Sequence, residues 1–149
     1  MTLSDIFHNK ALIAAVAGWL LAQILKVPTE YIRSRKWLWA MVVAPGGMPS
    51  SHSALMVAGT LSIGFNYGFD NPVFGLGVAI TMIVTHDAAG VRRQAGIHAE
   101  RINLLFGELL KGHAWNEDEL REVLGHTPLE VLGGIVLGIL IAIAQWKIG

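Results

Sequence analysis

Apolar residues fall in four long runs, and the polar stretches between them are short except for one. Ala11–Leu25 is apolar apart from Gln23, and with Ile6, Phe7 and Val27 around it approaches the ~20 residues of a membrane span. A second run, Ser53–Phe69, contains Gly59 and Gly64, which permit close helix approach, and ends at the Asp70-Asn71-Pro72 turn. The third starts at Pro72 and reaches Thr85, just before His86-Asp87; the fourth is Pro128–Trp146. Gly134 and Gly138 in that last run form a small-residue packing pattern. Between runs three and four, Val91, Ala95, His98, Ile102, Leu105 and Leu109 recur at steps of three and four. That spacing predicts an amphipathic helix lying in the interface or over the end of the bundle.

Two stretches are too short to span. Lys26–Lys36 reads as a polar loop, and Trp37–Val43 as an interfacial or re-entrant piece, with Trp37 and Trp39 at headgroup level. Asn116–Glu119 reads as the cap and acidic first turn of a short helix that stops at Gly125. The expectation is one all-α domain over residues 1–149, an integral membrane bundle of about four spans with an interfacial helix.

Composition agrees. The chain is 53% hydrophobic and 15% charged, where soluble domains carry about 25% charged residues. A formal net charge of zero with no basic run argues against a nucleic-acid partner, and the lack of cysteine excludes thiolate catalysis and Cys-ligated zinc. No metal-binding motif occurs, so neither a metal nor a cofactor is expected. Membrane lipids are the expected surroundings, and oligomeric state, homo-oligomer included, is open.

Charge also sets a topology. Of eleven Lys and Arg residues, all but Lys10 and Lys147 fall in 26–36 and 88–125. With four spans these segments share one side, which the positive-inside rule puts in the cytoplasm, with both termini opposite. Three polar motifs then meet on the basic face.

The first motif is the turn Gly46-Gly47-Met48-Pro49-Ser50-Ser51-His52. Its glycines let the backbone approach an anion, Ser50, Ser51 and the first-turn N–H groups face outward, and His52 can move a proton near neutral pH. The alternative is a glycine hinge before a serine-capped helix. The second motif, Asp87 to Arg93, offers the guanidiniums of Arg92 and Arg93 as a bidentate phosphate clamp or as topology anchors, with Asp87 in support. The third is His126-Thr127-Pro128-Leu129-Glu130. Thr, Pro and Glu here make a capping box, which leaves His126 unexplained. His8, His98 and His113 have no partner pattern and read as surface or interfacial.

Together these residues suit histidine-based phosphoryl transfer: His126 attacks phosphorus, Glu130 orients its ring, His52 protonates the leaving oxygen, and arginines with backbone N–H groups hold the oxyanions.

Pro49-Ser50-Ser51-His52 resembles the Pro-Ser-Gly-His motif of the type 2 phosphatidic acid phosphatases, which share a superfamily with the vanadium-dependent haloperoxidases. His126 and Glu130 resemble that family's last histidine and the aspartate four residues on. The chain as a whole resembles the small divergent branch of that superfamily through Gly46–Ala54, Asp87–Gly96 and Gly125–Val131. The resemblance implies lipid phosphate or pyrophosphate as substrate, hydrolysed without a metal through a phosphohistidine at His126. Lys26 and Arg33 keep the spacing of the parent family's first motif, with Ser34 in place of its proline. Ser51 stands for a glycine, Glu130 for an aspartate, and the parent's Ser-Arg before the last histidine is missing. The competing classes are a membrane protein that binds an anionic lipid or phosphate without turnover, and a transporter or scaffold. The His126/Glu130 pair separates them, since a binder needs no nucleophile.

Overall fold

The computed structural model describes residues 3–43, 46–109 and 125–148, and among them there is no strand. A 3-10 turn, Leu3–His8, precedes five helices: α1 (Lys10–Ser34), α2 (Ser51–Tyr67), α3 (Pro72–Ala89), α4 (Val91–Leu109) and α5 (Pro128–Ile148). Among the described residues, α1, the stretch from Pro72 to Leu105 and α5 are long and apolar enough to cross a membrane.

Local chemistry sets the helix ends. The Asn9 side chain accepts from Leu12 N–H at 3.1 Å and starts α1. Asn71 accepts from Val73 N–H at 2.9 Å and, with Pro72 at the first position, starts α3. Arg35, left-handed at φ 57°, closes α1 by donating its N–H to Tyr31 O at 2.8 Å.

One expectation needs correcting here. The segment beginning at Lys26 is not a loop, because α1 runs through it to Ser34. The charge cluster does not end the helix: Lys26 and Val27 pack in the core, and the Ser34 hydroxyl donates to Glu30 O at 3.0 Å in its last turn. Pro28 removes one backbone donor and crowds the carbonyl four residues back, a local cost that membrane helices accommodate. Trp37 and Trp39 follow, both exposed and stacked in series with Tyr31 at centroid distances of 4.4 and 6.0 Å. The next piece is a single 3-10 turn, Trp39–Val42.

α2 forms the middle of the bundle. It runs antiparallel to α1 and α3 and parallel to α5. Its buried positions are small: Ser51, Ser53, Ala54, Val57, Ala58, Thr60, Ser62 and Gly64. Small residues let backbones approach, and where neither water nor lipid enters, that packing holds helices together. A Cβ on Gly18 of α1 would come 2.8 Å from Ala54 O. On the other side, a Cβ on Gly134 would collide with Ser50 O and reach 2.8 Å from Ser53 Cβ, and one on Gly138 would lie 2.9 Å from Ala54 O. The two α5 glycines are therefore the α2–α5 seam.

The end of the bundle away from the turn is closed by polar and aromatic contacts. The Ser62 hydroxyl donates to Gln145 Oε1 at 2.8 Å, Asn66 Nδ2 donates to the same oxygen at 3.1 Å, and Phe65 stacks on Trp146 at 5.3 Å. α3 is more loosely held, with the Thr60 and Thr81 hydroxyls 3.0 Å apart and Ala88 its sole buried residue. α4 keeps Val91, Ile102, Leu104 and Leu105 exposed, so its apolar stripe is left for the bilayer surface. The expected short helix after Asn116 lies outside the described residues.

Candidate active site

Alternation of the helices brings the end of α1, the start of α2, the end of α3 and the start of α5 to one end of the bundle. Backbone hydrogen bonds fasten the three motifs there. Ser50 N–H donates to Glu130 O at 2.9 Å, and His126 N–H donates to Ala88 O at 3.1 Å. The first joins the glycine turn to the α5 start, and the second joins His126 to the Asp87–Gly90 segment.

The glycine turn folds over α1. Gly46 and Gly47 have φ of 84° and 80°, the left-handed region that side chains resist. A Cβ on Gly47 would meet Met41 Cε at 2.9 Å and the Lys26 stem at 3.7 Å. Thr29 anchors the turn by donating its hydroxyl to Met48 O. Lys26, 2% exposed, thus sits beneath the turn, where its ammonium feels the charge of Glu130. A buried cation close to a carboxylate is the expected arrangement, since an isolated one is costly.

At the start of α2, Ser50 is the cap. Its oxygen accepts from Ser53 N–H at 3.4 Å and from the Ser53 hydroxyl at 3.1 Å, and Ser50 is fully buried. Ser51 is buried as well. The two serines that read as phosphate ligands are therefore placed as the foundation of the helix start. His52 is exposed, with its ring 6.3 Å from that of His126 at 63°.

His126 is 5% exposed, and its Nδ1 lies 3.1 Å from Glu130 Oε2. A carboxylate oxygen accepts, so Nδ1 is the donor and carries the proton. In the neutral ring the lone pair is then on Nε2, the state a nucleophile requires. The same Oε2 accepts from Thr127 N–H at 3.1 Å, and Glu130 N–H donates to the Thr127 hydroxyl at 3.4 Å. The capping box and the histidine–acid pair, alternatives in the sequence, coexist on one carboxylate.

The structure brings His52, His126, Glu130, Gly47, Lys26, Ser50 and Ser51 together and fastens the Asp87 segment beside them. Arg33 is not among them, being exposed two turns beyond Lys26 on α1. Arg92 and Arg93 lie in the first turn of α4, and their side chains lie outside the described part of the structure. His8 and His98 are exposed, as expected, and His113 is outside the described residues. Sequence reasoning missed Thr29 and the Ala88 carbonyl, both of which act through contacts distant in the chain. Beside the site, Met82, Ile83, His86 and Asp87 of α3 and Val131 and Ile135 of α5 line an open groove of about 760 Å³.

The profile of the divergent PAP2 family matches residues 7–141, nearly the whole chain and all three motifs. The chain belongs to the divergent PAP2 family. It is also 35% identical over 150 residues to an uncharacterized membrane protein of Bacillus subtilis (strain 168), YuiD, covering 93% of this chain and 95% of that protein. No solved structure matches. This divergent PAP2 protein is an integral membrane protein, given its apolar helices and its membrane-protein relative. Its family connects it to phosphatases, and the His126–Glu130 pair lies within the matched residues.

Proposed function

We propose that the protein hydrolyses a lipid phosphate or pyrophosphate without a metal, through a phosphohistidine at His126. The observation that carries this reading is the Nδ1–Glu130 hydrogen bond, which in the neutral ring of a nearly buried histidine puts the lone pair on Nε2, with a second histidine ring 6.3 Å away. An anion-binding site needs donors and cations and has no use for an imidazole held in the nucleophilic tautomer.

In the first step Nε2 of His126 bonds to phosphorus as the P–O bond to the leaving group breaks. His52, as imidazolium, gives its proton to the departing oxygen. In the second step neutral His52 takes a proton from water, whose oxygen displaces Nε2 from phosphorus. Orthophosphate leaves, and both histidines return to their starting states. Glu130 keeps its bond to Nδ1–H throughout and stabilises the positive charge that develops on the ring. Lys26, Arg92, Arg93 and the N–H groups at the α2 start supply the positive field for the transferred oxygens. The groove between α3 and α5 supports a lipid as the phosphate carrier, because it opens beside Asp87 and continues along apolar Val131 and Ile135.

Phosphate release from purified protein tests this directly, with phosphatidate, phosphatidylglycerophosphate and polyprenyl phosphates as substrates, with and without a chelator. Chelator-resistant release from at least one is expected; none from any would leave a binding protein. In the same assay Arg92→Lys or Arg93→Lys is expected to lower turnover despite the retained charge, because lysine cannot donate two parallel hydrogen bonds. Full activity in both variants refutes the clamp.

The site end is assigned to the cytoplasm, since Arg33 in the last turn of α1 and Arg35 and Lys36 just after it belong to that end. The chain lacks cysteine, so single cysteines can report the orientation. An impermeant maleimide on intact cells is expected to label Asp70→Cys and spare Lys36→Cys and Gln94→Cys. The reverse pattern inverts the assignment.

A further inference from the structure

Thr127 takes no part in the phosphoryl transfer described above, yet it holds the carboxylate that does. We propose that Thr127 is a positioning residue: by capping α5 it clamps the Glu130 carboxylate against the His126 ring, so that helix cap and histidine–acid pair work as one unit. The activity half of this inference rests on the proposed hydrolase reading; the structural half does not.

The argument begins with the single oxygen. Glu130 Oε2 accepts from Thr127 N–H and from His126 Nδ1–H, both at 3.1 Å. Two neighbouring groups of the chain therefore converge on it: the ring of residue 126 and the amide of residue 127. Glu130 has three side-chain torsions, and its carboxylate is part-exposed at 13%. Left alone, such a side chain samples several rotamers and turns its oxygens to water. Two restraints oppose this. The Thr127 amide fixes one carboxylate oxygen, and the Thr127 hydroxyl fixes the backbone of Glu130 by accepting its N–H at 3.4 Å. The same residue is held from its carbonyl side by Ser50 N–H at 2.9 Å. With its backbone pinned at both N–H and C=O, Glu130 can aim its acid back along its own helix onto residue 126.

This also gives a physical reason for the glutamate that stands here for the aspartate of the phosphatases the chain resembles. At the third helical position the longer side chain can fold back to the amide at the helix start, the reciprocal half of a capping box. The sharing of one oxygen then costs the site no extra residue. The clamp acts on orientation of the imidazole, so its loss should appear in the chemical step and leave substrate binding nearly unchanged.

The test uses full-length protein in detergent or lipid nanodiscs, selectively ¹⁵N-labelled on histidine, with two readouts. The first is the downfield proton resonance of the His126 Nδ1–H bonded to Glu130, assigned by its loss in His126→Ala. The second is kcat and KM for the lipid phosphate that the wild type turns over. Thr127→Val keeps the shape and removes the hydroxyl. It is expected to shift or broaden the resonance and to lower kcat about tenfold or more, with KM changed less than about twofold. Thr127→Ser is expected to restore both. Glu130→Asp, one methylene shorter with the hydroxyl cap intact, is expected to lose the shared bond and serves if Thr127→Val does not fold. A Thr127→Val protein, or a Glu130→Asp protein, with the wild-type resonance and wild-type kcat overturns the clamp. If the wild type releases no phosphate from any lipid but the resonance responds to Thr127→Val and returns in Thr127→Ser, the clamp stands and the hydrolase reading falls.

Discussion

His126→Ala is expected to abolish phosphate release, the ring being the nucleophile of the proposed mechanism, while leaving a folded protein. The backbone N–H of residue 126 still reaches Ala88 O in the variant, so the tie to α3 survives. His52→Ala should behave differently. His52 is exposed, and in the proposed mechanism it protonates the leaving oxygen, so its loss should slow a poor leaving group, such as the alkyl alcohol of a lipid, by about 10²–10⁴-fold. For a nitrophenyl phosphate, whose oxygen departs with little need of a proton, the loss should be much smaller. The assay is phosphate release from both substrate types, normalised to folded protein by size-exclusion profile. Equal losses on both substrates would remove His52 from the role of general acid. Wild-type turnover by His126→Ala would end the phosphohistidine mechanism.

The largest structural effect is expected at Gly134. Any Cβ there collides with Ser50 O, and Ser50 N–H is the donor to Glu130 O. Gly134→Ala therefore forces α2 and α5 apart at the level of the site, and overpacking of this kind costs about 1–3 kcal/mol. Thermal unfolding in detergent should show a lower midpoint, and activity per folded molecule should also fall, because the same shift loosens the glutamate. Gly75 is the control. Nothing lies within 4 Å of a Cβ built on it in α3, so Gly75→Ala should be neutral or stabilising by about 0.4–1 kcal/mol. Equal effects at the two glycines would mean that the α2–α5 seam is not as close as described.

Much of the architecture was legible in the chain because each signal was local. Hydrophobic runs located α2, α3 and α5 to within a few residues, and Asn71-Pro72 and Thr127-Pro128 marked helix starts by their own side-chain chemistry. The candidate residues stood out for the same reason: His52, His126 and Glu130 each sit at a helix start with a recognisable cap. The length of α1 was not, because the basic cluster from Lys26 to Lys36 carries a loop signal that the packing of Lys26 and Val27 against the bundle outweighs. Nor could sequence tell whether Ser50 faces a ligand or the core. Cap and ligand require the same residue type, and burial by Gly134 decides between them. Thr29 over Met48 and Ala88 under His126 depend on residues 19 and 38 positions apart, a separation no local pattern encodes.

The central place of α2 also bears on how the protein is made. Four of its eight buried residues are hydroxylated, Ser51, Ser53, Thr60 and Ser62, and at 17 residues it is about 25 Å long, short of the ~30 Å hydrocarbon layer. Facing acyl chains alone, the Thr60 and Ser62 hydroxyls would lack the partners that Thr81 and Gln145 supply in the folded bundle. The helix that carries His52 is thus the one least suited to enter a bilayer unaided. Its insertion is tied to α1, synthesised before it, and becomes secure only when α5 closes the far side. The face that carries His52, His126 and Glu130 is then completed only when α5 packs against α2, so that a chain cut short before residue 126 lacks both the α2–α5 seam and the His126–Glu130 pair.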